Sequence, residues 1–100
     1  MCCKGCKSLE SKIVSPSTLW KISDTCAREV EEGTLKYVGA EFGLPFKDMM
    51  EKRIYDDFFS YYFTCNFCGK IFKLYAETYH GSGGALELIN ELPAKLSKNV

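Results

Sequence analysis

Apolar side chains recur at helical spacing early in the chain and predict its clearest element, a helix from Pro16 to Glu32. Ser15 is a favourable N-cap for this helix, and Pro16 at its first position has no N–H to leave unpaired. Gly33 follows, where a left-handed stop is expected. The predicted inward-facing stripe consists of Leu19, Ile22, Cys26 and Val30.

Two aromatic-rich runs, Asp57–Thr64 and Lys70–Glu77, predict β-strands in the second half of the chain. The first run has large apolar side chains on both faces, which favours an interior position in a sheet. The second alternates apolar and charged positions more regularly. The residues around Asn66–Gly69 are expected to close the two strands as an antiparallel hairpin, because Gly69 can take a positive φ.

The remaining segments give weaker patterns. They predict a strand at Thr34–Val38, a loop at Gly39–Pro45, a two-turn helix at Phe46–Ile54 with Met49, Met50 and Ile54 turned inward, a loop at Tyr79–Gly84, and a helix at Ala85–Leu92 with Ala85, Leu88, Ile89 and Leu92 as its apolar stripe. Residues 1–14 carry little pattern. We therefore predict a single α+β domain spanning residues 1–100, with an antiparallel sheet of about three strands packed by two or three helices.

Composition narrows the class of protein. A hydrophobic fraction of 46% and a charged fraction of 26% are typical of a globular chain rather than a disordered one. No apolar run approaches the roughly 18 residues of a membrane span. The basic start of the chain is not followed by the apolar segment of a secretory signal. We therefore expect a cytoplasmic protein, either monomeric or homodimeric, with reduced thiols.

The sequence Cys65-Asn-Phe-Cys68-Gly69 has the spacing of a zinc knuckle, in which two thiolates on a tight turn bind one metal ion. Cys3 and Cys6 repeat that spacing and would complete four ligands, with His80 or Cys26 as substitutes. The competing interpretation is a hairpin turn whose thiols pack as small apolar groups. We predict no cofactor, with a structural zinc ion as the alternative.

The only histidine stands in the glycine-rich stretch Tyr79-His80-Gly81-Ser82-Gly83-Gly84. This stretch superficially resembles a phosphate-binding loop, but it lacks the Gly-Lys-Ser/Thr ending of a P-loop. A hydrolytic site would require His80 beside a nucleophile, with Ser82, Cys65 and Cys68 as candidates. A sharp connection between a strand and a helix explains the glycines more simply, so we predict no catalytic residue.

Charge is unevenly distributed along the chain. The 13 basic and 13 acidic side chains cancel, which argues against a dedicated nucleic-acid-binding protein. Residues 24–57, however, carry nine acidic and five basic groups. This excess predicts either a solvated face or a docking surface for a basic protein. The candidate partner-binding residues are the acids of this region and the aromatic residues among them: Glu29, Glu31, Glu32, Glu41, Phe42, Phe46, Asp48, Glu51, Tyr55, Asp56 and Asp57.

Two stretches of the second half carry a resemblance to a known group of proteins. They are Tyr61-Tyr62-Phe63-Thr64-Cys65-x-x-Cys68-Gly69-x-x-Phe72-x-Leu74 and Glu77-Thr78-Tyr79-His80-Gly81-x-Gly83-Gly84. In these the chain resembles small immunity proteins of bacterial polymorphic toxin systems, of the contact-dependent growth inhibition or Rhs type.

The resemblance implies a non-enzymatic cytoplasmic protein that binds and neutralises one cognate toxin domain, commonly a nuclease. The cysteine and glycine motifs would then belong to the scaffold. The alternative function is a zinc-ribbon-like module that binds nucleic acid or protein.

Overall fold

The computed structural model describes residues 11–54, 58–77 and 83–93. Within these ranges the chain forms two helices and one five-stranded antiparallel sheet. The elements are β1 (Ser11–Ile13), α1 (Pro16–Glu32), β2 (Leu35–Phe42), α2 (Phe46–Lys52), β3 (Phe58–Cys65), β4 (Ile71–Glu77) and β5 (Gly83–Ile89). The predicted α+β class is confirmed, and the sheet has more strands than the sequence indicated.

The strands lie in the order β1-β5-β4-β3-β2, so β3 is an interior strand, as its two apolar faces predicted. Both helices pack on one face of the sheet, which we call the inner face. The core lies between the helices and this face, and its buried side chains include Leu19, Ile22, Cys26, Phe46, Met49, Phe59, Tyr61, Phe63, Phe72, Leu74, Ala76 and Leu86. The opposite face of the sheet is called the outer face.

Helix α1 has the bounds and the caps that its sequence predicted. The Ser15 hydroxyl accepts a hydrogen bond from the N–H of Thr18 at 3.2 Å, and Pro16 begins the helix. Gly33 ends it in the left-handed conformation, with φ of 89°. Leu19, Ile22 and Cys26 are buried on its inward stripe. Local capping and amphipathicity therefore agree with the tertiary packing.

The helix predicted at Ala85–Leu92 is wrong, because this segment contains the strand β5. Every residue from Gly83 to Ile89 pairs with β4. A short apolar run fits a buried strand as well as a helix, and pairing with β4 decides between them. Gly83 and Gly84, expected in a loop, begin the strand. A Cβ atom at Gly84 would lie 2.6 Å from the Cα of Ala76, so glycine permits the close approach of the two strands.

The loop predicted at Gly39–Pro45 begins later than expected, because β2 continues through Phe42. Two register shifts interrupt its pairing with β3, between Tyr37 and Gly39 and between Ala40 and Phe42. Such bulges let a strand containing a glycine stay in the sheet.

Two smaller features, the end of α2 and the strand β1, also differ from the prediction. Helix α2 ends at Lys52, and the side chain of Ile54 is 49% exposed instead of facing inward. Strand β1 occupies part of the segment that carried little pattern. Across the described ranges, no helix combines the length and apolar character needed to cross a membrane.

Candidate functional site

An open groove of about 620 Å³ includes part of the outer face of the sheet. Its polar lining consists of Glu41, Tyr62, Lys73, Glu87 and Glu91, and its apolar lining consists of Ile89, Leu92 and Pro93. We call it the acidic groove. It brings together residues from β2, β3, β4 and β5 and from the segment that follows β5.

Strand register builds the floor of the acidic groove. Tyr62 of β3 pairs with Lys73 of β4, and Lys73 pairs with Glu87 of β5, so the three residues form one row across the sheet. Residues in such a row project from the same face. On the other side of Tyr62 the row continues with Gly39, which has no side chain.

A hydrogen bond fixes the β2 side of the groove. The Tyr62 hydroxyl donates to Oε1 of Glu41 at 2.9 Å. Burial raises the pKa of Tyr62, and the hydrogen bond to Glu41 and the charge of that carboxylate raise it further. The phenol therefore keeps its proton under ordinary conditions and holds the carboxylate in a fixed position.

The groove carries an excess of negative charge. Glu87 and Glu91 form no ion pair with any residue that the structure describes. The ammonium group of Lys73 lies 5.0 Å from the centroid of the Tyr75 ring, where a cation–π contact holds it. Among the described residues of the lining, three carboxylates therefore accompany one ammonium group, and that group already contacts an aromatic ring.

An exposed aromatic pair lies beside the groove. The rings of Phe42 and Phe58 are 5.0 Å apart between centroids, and the residues are 50% and 39% exposed. Glu41 connects the two features, because it lines the groove and directly precedes Phe42 in β2. Between Phe58 and Tyr62 on β3, the Ser60 hydroxyl is fully buried and has no hydrogen-bond partner among the residues that the structure describes. Exposed aromatic residues bordered by polar groups are typical of protein interfaces.

The structure divides the acidic residues predicted to bind a partner into separate groups. Glu29, Glu31 and Glu32 lie in the last turns of α1, and Glu29 is 3.9 Å from Nε of Arg28. Glu41 lies near the far end of β2, about 20 Å away by strand length. Asp48 and Glu51 lie on α2. The predicted acids that the structure describes are therefore distributed over three elements, α1, β2 and α2.

The acids of α1 occupy an electrostatically unfavourable position. They stand at the negative end of the helix dipole, and the last turn of α1 contains no basic residue. Each carboxylate there costs the helix a few tenths of a kcal/mol, up to about 1 kcal/mol. Glu31 and Glu32 are exposed, so this group is a second, smaller candidate surface.

One of the residues predicted to bind a partner, Phe46, lies in the core. Phe46 is only 7% exposed, and its ring lies 5.2 Å from both Tyr61 and Phe63 between centroids. It is a core residue and does not present a surface to a partner. Tyr55, Asp56 and Asp57 lie outside the described residues.

The Cys-x-x-Cys turn is a hairpin connection between β3 and β4. Cys65 is buried and Cys68 is exposed, and Gly69 has φ of 77°. Cys3, Cys6 and His80 lie outside the described residues. Within residues 11–54, 58–77 and 83–93, no three metal-ligating side chains form a group. Zinc therefore stays the alternative to the predicted absence of a cofactor, and metal content before and after Cys65→Ser would test it.

The catalytic alternative also stays untested by the geometry, because His80 and Ser82 lie outside the described ranges. The one buried thiol of α1, Cys26, belongs to the core, and burial raises its pKa to about 12. A thiol in that position remains protonated at neutral pH and packs as a small apolar group.

Most of the acidic groove was not predicted from the sequence. Glu87 and Glu91 both fell within the helix predicted at Ala85–Leu92, and neither Tyr62 nor Lys73 was selected as a binding residue. The alternation of β5, with Leu86 and Leu88 on the inner face and Glu87 between them, was the available signal. Only Glu41 of the groove and Phe42 of the aromatic pair were predicted.

Comparison of the chain with models of protein families gives no significant match, and comparisons with curated proteins and with solved structures give none either.

Proposed function

We propose that this protein is a non-enzymatic inhibitor that binds and neutralises a basic toxin domain, such as a nuclease, in the bacterial cytoplasm. The observation that carries the proposal is the acidic groove with the exposed pair Phe42 and Phe58 beside it. The resemblance of residues 61–84 to immunity proteins supports the same conclusion. The mechanism is occupation of the toxin's surface and requires no covalent step.

The two parts of this surface would contribute differently to binding. A nuclease needs a basic surface to attract phosphate groups, and carboxylates such as Glu41 and Glu87 attract that same surface. Complementary charge speeds the encounter and sets specificity, while buried aromatic anchors supply much of the affinity. Phe42 and Phe58 are exposed in the free protein and can lose that exposure on binding.

Co-expression provides the direct test. The full chain is produced in bacteria together with the protein encoded by the neighbouring reading frame, and growth and complex formation are measured. We expect the chain to restore growth and to co-purify with its partner, with an association rate that falls as salt is added. Lys70→Gln is a suitable control, because it removes an exposed basic group and should leave neutralisation unchanged. A chain that neither binds that protein nor restores growth would refute the proposal.

A further inference from the structure

We infer that the acidic groove is the docking site for an extended partner segment that carries lysine or arginine side chains. This inference rests on the proposed function and names the surface and the chemistry through which it would act. The groove belongs to a sheet face on which no helix of the described ranges packs. The charge of the groove, its shape and the fixed position of the Glu41 carboxylate all favour such an occupant.

The charges of the groove favour a cationic occupant. Glu41, Glu87 and Glu91 line it, and Lys73 is the only basic residue among the described residues of the lining. The Lys73 ammonium already contacts the Tyr75 ring. A guanidinium or ammonium group can therefore meet unpaired carboxylates without displacing an existing ion pair. Charge-assisted hydrogen bonds of this kind are roughly twice as strong as neutral ones.

The shape of the groove suits long basic side chains. Its volume of about 620 Å³ exceeds what one such side chain needs and falls in the range of roughly 300–1,000 Å³ that is common for binding clefts. Ile89, Leu92 and Pro93 form an apolar border. Lysine and arginine carry aliphatic stems, which pack on apolar surface while the charged end reaches a carboxylate.

One carboxylate of the groove is positioned before any partner arrives. Tyr62 is 2% exposed and donates its hydroxyl to Glu41. The buried ring has little freedom, so the carboxylate is held in place with little further loss of entropy on binding. Tyr62 is accordingly a positioning residue, and Glu41 is the residue that contacts the partner.

Two double variants with equal charge change separate the groove from the other acidic surface. Glu87→Gln with Glu91→Gln removes two charges from the groove, and Glu31→Gln with Glu32→Gln removes two from the end of α1. The probe is a fluorescein-labelled hepta-arginine peptide, with hepta-glutamine as its uncharged counterpart. Binding to the full chain is measured by fluorescence anisotropy at low ionic strength.

We expect the groove variant to bind the hepta-arginine peptide about tenfold more weakly than the wild type, as the loss of two attractive contacts would give. The α1 variant should stay within about a factor of two of the wild type. Hepta-glutamine should not bind. Equal weakening by both double variants, or no binding of hepta-arginine by the wild type, overturns the inference.

Two further measurements keep the result interpretable. Amide chemical-shift changes in the wild type should locate hepta-arginine on the outer face around Tyr62 and Lys73, which does not depend on any variant folding. Shifts confined to the end of α1 overturn the inference. The same variants are then tested against the co-expressed toxin. If the variant without the Glu87 and Glu91 charges still binds the toxin, the inference that the groove is the docking site is refuted, but the proposed function is not. If the wild type binds no toxin, the proposed function is refuted.

Discussion

The side-chain amide nitrogen of Asn66 donates a hydrogen bond to the carbonyl oxygen of Gly33 at 2.9 Å, and the Asn66 N–H donates to the carbonyl oxygen of Thr34 at 2.8 Å. These two bonds attach the turn between β3 and β4 to the residues that end α1. The bonded carbonyl of Gly33 lies at the negative end of the helix dipole, where a donor is favourable and an acceptor is not. Asn66 therefore stabilises a junction between two elements that are distant in sequence.

Replacing Asn66 tests that junction. Asn66→Ala should lower the free energy of unfolding by about 1 kcal/mol through the lost hydrogen bond. Asn66→Asp should lower it further at neutral pH, because a carboxylate would face the Gly33 carbonyl and the helix dipole. Urea denaturation measures both. Below the usual aspartate pKa of about 3.9 the protonated side chain can donate again, so the extra loss should shrink. An Asp variant as stable as the wild type at neutral pH would contradict this account.

Arg53 should stabilise the contact between α2 and α1. Its Nη2 atom lies 2.8 Å from Oδ1 of Asp24, and its guanidinium carbon lies 4.8 Å from the centroid of the Trp20 ring. Arg53→Ala should therefore lower the free energy of unfolding by about 1 kcal/mol. Unfolding midpoints in urea, at low and at high salt, give the measurement.

Arg53→Gly is the matched control for that variant. Arg53 has φ of 55°, a left-handed conformation that costs a residue with a Cβ about 1–2 kcal/mol and costs glycine almost nothing. The glycine variant loses the same side-chain contacts but also loses the strain, so it should be more stable than the alanine variant. Equal stability of Arg53→Ala and the wild type would show that the contacts with Asp24 and Trp20 contribute little, because the alanine variant keeps the left-handed φ and loses only those contacts.

A methyl group at Gly84 should disrupt the pairing of β4 with β5. The added Cβ would collide with the backbone of Tyr75 and Ala76 in the neighbouring strand. Gly84→Ala should therefore lower the free energy of unfolding by about 3 kcal/mol, the upper part of the usual range for overpacking. Gly33→Ala is the control, since it meets open space but has φ of 89° and should cost only about 1 kcal/mol. Thermal unfolding of both variants tests whether Gly84→Ala is the less stable of the two. Equal stability of Gly84→Ala and Gly33→Ala would contradict this prediction.

The Cys26 thiol should make the fold less stable in alkali. Burial raises its pKa to about 12, and the nearby charge of Glu29 adds to the rise, whereas an unfolded thiol ionises near 8.5. The unfolded chain therefore releases this proton first. The stabilisation is complete below the unfolded pKa and falls by about 1.4 kcal/mol per pH unit above it, until the folded pKa is reached.

Denaturation in urea at pH 8, 9 and 10 tests this dependence, with Cys26→Ala as the comparison. The alanine variant should start from a lower stability, because it leaves space in the core, but its stability should decline less steeply with pH. Parallel pH profiles of the two proteins would show that Cys26 does not contribute.

The sequence predicted α1 to the residue because its information is local. Ser15 and Gly33 stand at the two ends, and the apolar stripe between them has a single period. The β3–β4 hairpin could be predicted for the same reason, because its aromatic strands and the turn residue Gly69 lie within one short stretch of the sequence. For such elements, propensity, capping and burial favour the same structure, and no distant contact has to be known.

Strand β5 and the acidic groove could not be predicted in the same way. Ala85, Leu88, Ile89 and Leu92 fit a helical stripe, but the same apolar run also fits a buried strand, and only hydrogen bonding with β4 distinguishes the two. The groove depends on the register that aligns Tyr62, Lys73 and Glu87. A shift of one residue in the register of β5 would turn Glu87 to the inner face. The site therefore forms only when the strands pair in this register.

The strand order also has a consequence for how the chain collapses. β2 to β5 form a run in which each strand joins the next one along the sequence, and only β1 must find a strand from the opposite end of the chain, with Ser11 beside Leu86. Closing so long a loop costs conformational entropy and is therefore slow, and only three residue pairs stabilise the closed arrangement. We therefore expect β1 to pair last during folding and to separate first from the sheet. Its amide protons should exchange with solvent long before those of the other four strands.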